Sequence, residues 1–146
     1  MIRTYSRRHV RHYEVPGGTA HITWRLHRGQ TPLSELERSQ VLDVLRRDDN
    51  VRCSIEAGVV MDDHVHMLAT FSHGFTAARV VHGWKSISSH RIIKASSRTS
   101  PLWQAEYYQR WLPSPAVVDL CTSYILANPQ RRWPGITAYP WVLPPT

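Results

Sequence analysis

The stretch Val59-Val60-Met61-Asp62-Asp63-His64-Val65-His66-Met67-Leu68-Ala69 sets two histidines two residues apart inside an apolar run. In a β-strand, residues i and i+2 point to the same face. His64 and His66 are therefore predicted side by side on one face of a sheet, with Val65 in the opposite layer. That is a pair of imidazole ligands on a rigid element. To do chemistry it needs a further ligand, a nucleophile and a basic surface for an anionic substrate.

Outward from this pair, residues 51–61 read as the preceding strand, with Gly58 a bulge or a close approach. Asp62-Asp63 is a two-residue turn, and residues 64–71 form the second arm of a hairpin. Upstream, His21-Ile22-Thr23-Trp24-Arg25-Leu26 is β-branched and aromatic and reads as a strand. Its even positions form an apolar face; His21, Thr23 and Arg25 form the other. Between these strands an amphipathic helix runs to residue 47. It opens either at Thr31-Pro32 or at a capping box from Ser34 to Glu37.

Residues 75–97 form a second helix, with Val80, Val81, Trp84 and Ile87 at helical spacing. A fourth strand lies within residues 102–111, which are rich in aromatics. Ser114 and Pro115 open a third helix over residues 116–128, and Asn128-Pro129 stops it. The order β-α-β-β-α-β predicts an α+β, ferredoxin-like four-stranded antiparallel sheet with two helices on one face. The third helix, carrying Tyr124, then lies at the sheet edge or across its free face. The expected divisions are a loosely ordered basic arm over residues 1–18, a domain over 19–135, and an irregular, proline-rich tail over 136–146.

The chain has 146 residues, 42% of them hydrophobic, which suits one domain with a single core. No apolar run approaches the ~20 residues of a membrane span. No apolar signal core follows the basic N-terminus, so a cytoplasmic, nucleoid-associated location is expected. Cys53 and Cys121 are expected as buried thiols, and there is no Cys-x-x-Cys pair. Eighteen basic against eleven acidic residues give a net charge of +7 and a pI near 10.0. Only Lys85 and Lys94 are lysines; the rest is arginine, whose fork suits phosphate oxygens. The balance leans toward a nucleic-acid partner. Arg25, Lys85 and Arg110 are candidate phosphate contacts, joined by Arg131 and Arg132 beyond the third helix.

Tyr124 and Asn128 are four residues apart and share a helical face. A phenol beside an amide oxygen suggests that Asn128 completes a metal site with His64 and His66. Imidazole plus amide oxygen suits Mg²⁺ or Mn²⁺; two histidines alone would also take Zn²⁺. Such an ion polarises a phosphoryl oxygen, and Tyr124 is then the covalent nucleophile. Each residue has a plainer reading alone: a structural histidine, a core tyrosine, a helix terminator. Trp84 reads as core. Trp103, Tyr107 and Trp111 read equally as core or as stacking platforms.

His64-Val65-His66 resembles the His-hydrophobic-His motif of the HUH nucleases. With Tyr124-Ile125-Leu126-Ala127-Asn128-Pro129, it makes the chain similar to single-tyrosine transposases of the IS200/IS605 type, nearest the REP-associated branch. Trp84-Lys85-Ser86 and Leu102-Trp103-Gln104 add to the likeness, which spans roughly residues 20 to 135. The resemblance implies cleavage of single-stranded DNA at a hairpin by Tyr124, a 5′-phosphotyrosine intermediate, a free 3′-hydroxyl and strand rejoining. It implies His64, His66 and Asn128 as ligands of Mg²⁺ or Mn²⁺. A monomer is favoured over a homodimer.

Three places depart from the family pattern. Gln109-Arg110-Trp111-Leu112-Pro113 stands where relatives often have an acidic residue and a second arginine, which bears on guide-sequence recognition more than on chemistry. Asp62-Asp63 replaces a common Met-Pro-Asn; these acids orient a histidine, join the coordination, or simply cap the turn. Arg131-Arg132-Trp133 stands where relatives are commonly small and apolar. A domesticated, non-catalytic DNA- or RNA-binding protein of the same fold is the alternative.

Overall fold

The computed structural model describes residues 12–144. Five strands form one antiparallel sheet: β1 (Thr19–Arg25), β2 (Cys53–Val60), β3 (His64–Phe71), β4 (Tyr108–Leu112) and β5 (Val142–Leu143). Their order is β4-β1-β3-β2-β5. The first four reproduce the predicted ferredoxin-like arrangement. The fifth corrects the reading of residues 136–146 as irregular. Val142 and Leu143 pair with Val59 and Gly58, and Val60 N–H donates to the Trp141 carbonyl at 2.9 Å. The edge of β2 otherwise presents unpaired backbone groups, and a tail that satisfies them becomes a strand despite its prolines.

Helices α1 (Glu35–Arg46) and α2 (Ala77–Ala95) cover one face. Between the two possible starts of α1, the structure selects Ser34. Its hydroxyl accepts from Glu37 N–H at 3.1 Å, and Glu37 returns the bond to Ser34 N–H at 2.9 Å. The main core lies beneath these helices, with Ile22, Trp24, Val65, Met67, Leu45, Val80 and Trp84 all buried.

The other face carries α3 (Pro115–Leu126) over a smaller core of Ala57, Val59, Met61, Leu68, Leu112 and Ile125. A bulge in β2 between Ile55 and Ala57 makes this possible. Cys53 and Ile55 face the helix pair, whereas Ala57, Val59 and Met61 face α3. One extra residue reverses the side-chain phase of a strand. The irregularity expected at Gly58 thus falls two residues earlier. Gly58 is the close approach instead, because a Cβ there would lie 2.6 Å from Met67 Sδ.

The single helix expected over residues 116–128 is divided. Ala127 caps α3, and a short α4 (Asn128–Arg132) follows. Pro129 has no N–H to continue the ladder but is well suited to a first helical turn, so the chain stops and restarts.

Residues 1–11 of the expected arm lie outside the described residues. Residues 12–14 are not loose. His12 donates to the Tyr107 carbonyl, Tyr13's carbonyl accepts from Gln109 and Trp111, and Glu14 takes the Ala77 and Ala78 N–H groups at the start of α2. No helix among the described residues is long and apolar enough to cross a membrane.

Candidate active site

Antiparallel pairing of β1 with β3 places Thr23 opposite His66 and Arg25 opposite His64. Alternation then sends His21, Thr23, Arg25, His64 and His66 to the α3 side of the sheet. The imidazoles of His64 and His66 lie with ring centroids 4.8 Å apart and planes perpendicular. Both residues are buried, at 7% and 9% exposure. The same-face prediction therefore holds.

Each imidazole has its Nδ1 engaged from the side. His64 Nδ1 donates to Asp63 Oδ1 at 2.6 Å. His66 Nδ1 lies 2.8 Å from Thr23 Oγ1 and 3.0 Å from His21 Nε2. Ring nitrogens held this way fix the imidazole orientation and leave Nε2 to face a partner.

Burial drives the electrostatics. His66 is pushed down to about 3 by burial, then by the neighbouring His64, His21, Arg25 and Arg131. His21 is pushed down to about 4 by burial and by Arg110. Burial also lowers His64, against the opposing pull of the Asp63 hydrogen bond and charge. Burial raises Asp63, but the hydrogen bond and charge of His64, with Arg132 and Arg25, bring it below the ordinary carboxylate range. At neutral pH the imidazoles are uncharged beside an ionised carboxylate, the protonation state a metal ligand requires. Among the described residues, no group of three or more His, Cys, Asp and Glu side chains is placed to hold an ion. A site here rests on two imidazoles and needs oxygen donors from elsewhere, so the amide of Asn128 is chemically apt.

A cleft of about 750 Å³ opens between this face and α3, lined by His21, Thr23, Arg25, His66 and Tyr108 together with Arg110 and Tyr124. Tyr124 is 58% exposed, and so is not a core tyrosine. The guanidinium of Arg131 sits 3.9 Å over its ring, and Arg131 donates to the Tyr124 carbonyl at 2.7 Å. Asn128 is half-buried at the start of α4, and Ala127 between them keeps a nearly helical backbone at φ −85° and ψ −2°. The chain therefore advances about one helical turn from Tyr124 to Asn128.

The fold gathers Arg25 and Arg110 at the cleft and lays Arg131 over the Tyr124 ring, but Lys85 and Arg132 are engaged elsewhere. Lys85 lies on α2, across the sheet, and its ammonium donates to the Gln104 and Ala105 carbonyls at 2.8 and 3.0 Å. Arg132 pairs with Asp62 and Asp63 at 3.2 and 3.5 Å. Trp84 is core, as read. Trp103 is also core, and Tyr107 and Trp111 pack against that core. The aromatic of β4 that reaches the cleft is Tyr108, edge-on to His21 at 5.7 Å. The aromatic run from 107 to 111 concealed the strand's phase; only pairing with β1 decides that Tyr108 and Arg110 face the site. Cys53 is a buried free thiol as expected, whereas Cys121 is only half-buried, in the cleft wall.

Comparison with solved structures finds the same fold elsewhere. A REP-associated tyrosine transposase bound to a REP hairpin matches with a TM-score of 0.71 and 19% identity, covering 84% of this chain and 73% of that one. A candidate transposase from Deinococcus radiodurans R1 matches with a TM-score of 0.56 and 20% identity, covering 80% of this chain and 92% of that one. No curated protein matches. The family model described as "Transposase IS200 like" matches residues 14–127, from the segment that caps α2 to the residue that caps α3. It takes in the paired imidazoles and the exposed phenol that share this face, and the chain belongs to the IS200-like transposase family.

Proposed function

We propose that the protein is a divalent-metal-dependent, single-tyrosine nuclease and strand transferase for single-stranded DNA, of the REP-associated type. The observation that carries this is the exposure of Tyr124 on α3 in the same cleft that His66, Arg25 and Arg110 line from the sheet. The neutral imidazole of His66, with His64 beside it, a solvent-facing phenol and two exposed arginines meet at a space able to take a strand.

His64, His66 and Asn128 would hold Mg²⁺ or Mn²⁺, which when bound polarises a phosphoryl oxygen. Arg25 and Arg110 hold the phosphate backbone through charge. Tyr108 offers a flat face for a base. The Tyr124 oxygen attacks phosphorus, forming a 5′-phosphotyrosine ester. The bond from phosphorus to the 3′-oxygen breaks, and that oxygen leaves as a hydroxyl, its proton balancing the one the phenol gives up. Attack by a 3′-hydroxyl reverses the step and joins strands without ATP. Tyr124 and His66 of one chain line the same cleft, so the proposed chemistry needs no second subunit, and a monomer is proposed. A hairpin is the proposed substrate because the similar REP-associated transposase is bound to one.

The test is incubation with labelled single-stranded hairpins and Mn²⁺. An SDS-resistant adduct is expected, absent in Tyr124→Phe although that variant still binds the hairpin. Cleavage retained in His64→Ala would exclude its ligand role. Binding without an adduct across hairpins would point to a nucleic-acid-binding protein that has kept only the fold.

A further inference from the structure

The five-residue α4 follows a helix break and has no side-chain cap. Its angle against the sheet must come from tertiary contacts. Pro129 is buried beneath it, and Arg131 ties back to Tyr124. The described polar connection from α4 to the strand of the histidines is Arg132. Its NH2 donates to Asp62 at 3.2 Å, and its NH1 donates to Asp63 Oδ1 at 3.5 Å.

Those carboxylates sit on a turn anchored by backbone hydrogen bonds. The Asp62 carbonyl accepts from Leu33 N–H at 2.7 Å, the Asp63 carbonyl accepts from Leu26 N–H at 2.9 Å, and Met61 N–H closes the hairpin on the His64 carbonyl at 2.8 Å. The Asp63 oxygen that faces Arg132 is also the one that accepts from His64 Nδ1. One guanidinium therefore touches both the turn that carries the first histidine and the helix that begins with Asn128.

We propose that Arg132 is a positioning residue, latching α4 to the Asp62-Asp63 turn so that Tyr124 and Asn128 face the paired imidazoles, while Asp63 sets the orientation of His64. This rests on the function proposed above. The pair is partly exposed, with Arg132 and Asp63 side chains at 41%. Such pairs act weakly on the whole fold. Their effect here is local, on the docking of a short helix otherwise held by buried Pro129, the Arg131–Tyr124 tie and Trp133 stacked on Tyr139. Two carboxylates also neutralise this guanidinium and occupy its donors, which sets Arg132 apart from Arg25 and Arg110 as a phosphate contact.

Hydrogen exchange tests the latch without any cleavage. The Ala127 and Arg131 amides bond to the Ser123 and Ala127 carbonyls. In Arg132→Glu their exchange should quicken several-fold while the main-core strands stay protected, and the reversed pair Asp62→Arg with Arg132→Glu should restore protection. Mn²⁺ titration by EPR should show binding weakened roughly 10- to 100-fold in Asp63→Ala, as for other groups that orient a metal-bound imidazole. In the adduct assay, Arg132→Met should lower kcat by about tenfold or more while KM for the hairpin holds.

Unchanged exchange in Arg132→Glu would overturn the proposal. So would an Arg132→Met variant that keeps kcat but raises KM and loses about one unit of salt slope, the signature of a phosphate contact. A wild-type protein that forms no adduct would remove the proposed function alone, because the exchange result is independent of it.

Discussion

Acidification should destabilise the metal-free protein before its carboxylates titrate. Folded pKa values of about 3 for His66 and about 4 for His21 lie below the ordinary 6.5. A histidine depressed in this way binds fewer protons folded than unfolded. Its stabilising contribution is complete above 6.5 and is lost as the pH falls from there toward the folded value. Between about pH 7 and about pH 5, linkage gives a loss of about 2 kcal/mol for a histidine shifted this far. His66, at 9% exposure, carries that in full. His21 is half-buried in a wet cleft and contributes less, so the pair accounts for about 3 kcal/mol. The lowered pKa of His64 acts in the same direction. With a urea m-value of about 2 kcal/mol/M, the midpoint should fall by about 1.5 M over that range. The assay is urea denaturation of chelator-treated protein, read by tryptophan fluorescence. His21→Gln should show a smaller pH dependence than wild type. A midpoint that is flat or rises on acidification would refute the reasoning, because it would mean that the imidazoles accept protons in place.

Three further outcomes follow from the packing and charge. Glu37→Gln should cost about 1–3 kcal/mol by thermal denaturation, because it weakens a partly buried bidentate pair in which Arg98 donates to both carboxylate oxygens at 2.8 Å while also holding the Thr31 and Pro32 carbonyls. Gly58→Val should cost about 1–3 kcal/mol, since its Cβ would meet Met67 and Leu143 in a closed core; a melting temperature equal to wild type would contradict the close approach. Arg25→Ala and Arg110→Ala should each reduce the salt slope of hairpin binding by about one, whereas Lys85→Ala, whose ammonium is engaged across the sheet, should leave it unchanged.

Local chemistry made much of this protein legible. The two-residue period of a strand put His64 and His66 on one face, and put His21, Thr23 and Arg25 on one face of β1. Ser34 to Glu37 announced a capping box, and Ser114-Pro115 announced the start of α3. The tail was unreadable because β5 exists only by pairing with β2. Proline content argued against a strand, and the edge it covers is built from residues more than eighty positions earlier. Of the two readings of Gly58 the structure selects the close approach: glycine marks where backbone can approach, while the phase of β2 is set by two cores pulling on opposite faces.

The sequence by itself determined the element order, the strand presenting the paired imidazoles, and the spacing of phenol and amide, because these follow from backbone periodicity and from side chains that bond to their own neighbours. Long-range packing alone settles which cations face the cleft, that Tyr108 rather than Trp103, Tyr107 or Trp111 lines it, and that two of the departures from the family pattern meet as Asp62, Asp63 and Arg132. Strand order, register and the docking of α3 are set by long-range burial. A charge seventy residues away in sequence enters no local pattern until the fold brings it within hydrogen-bonding distance.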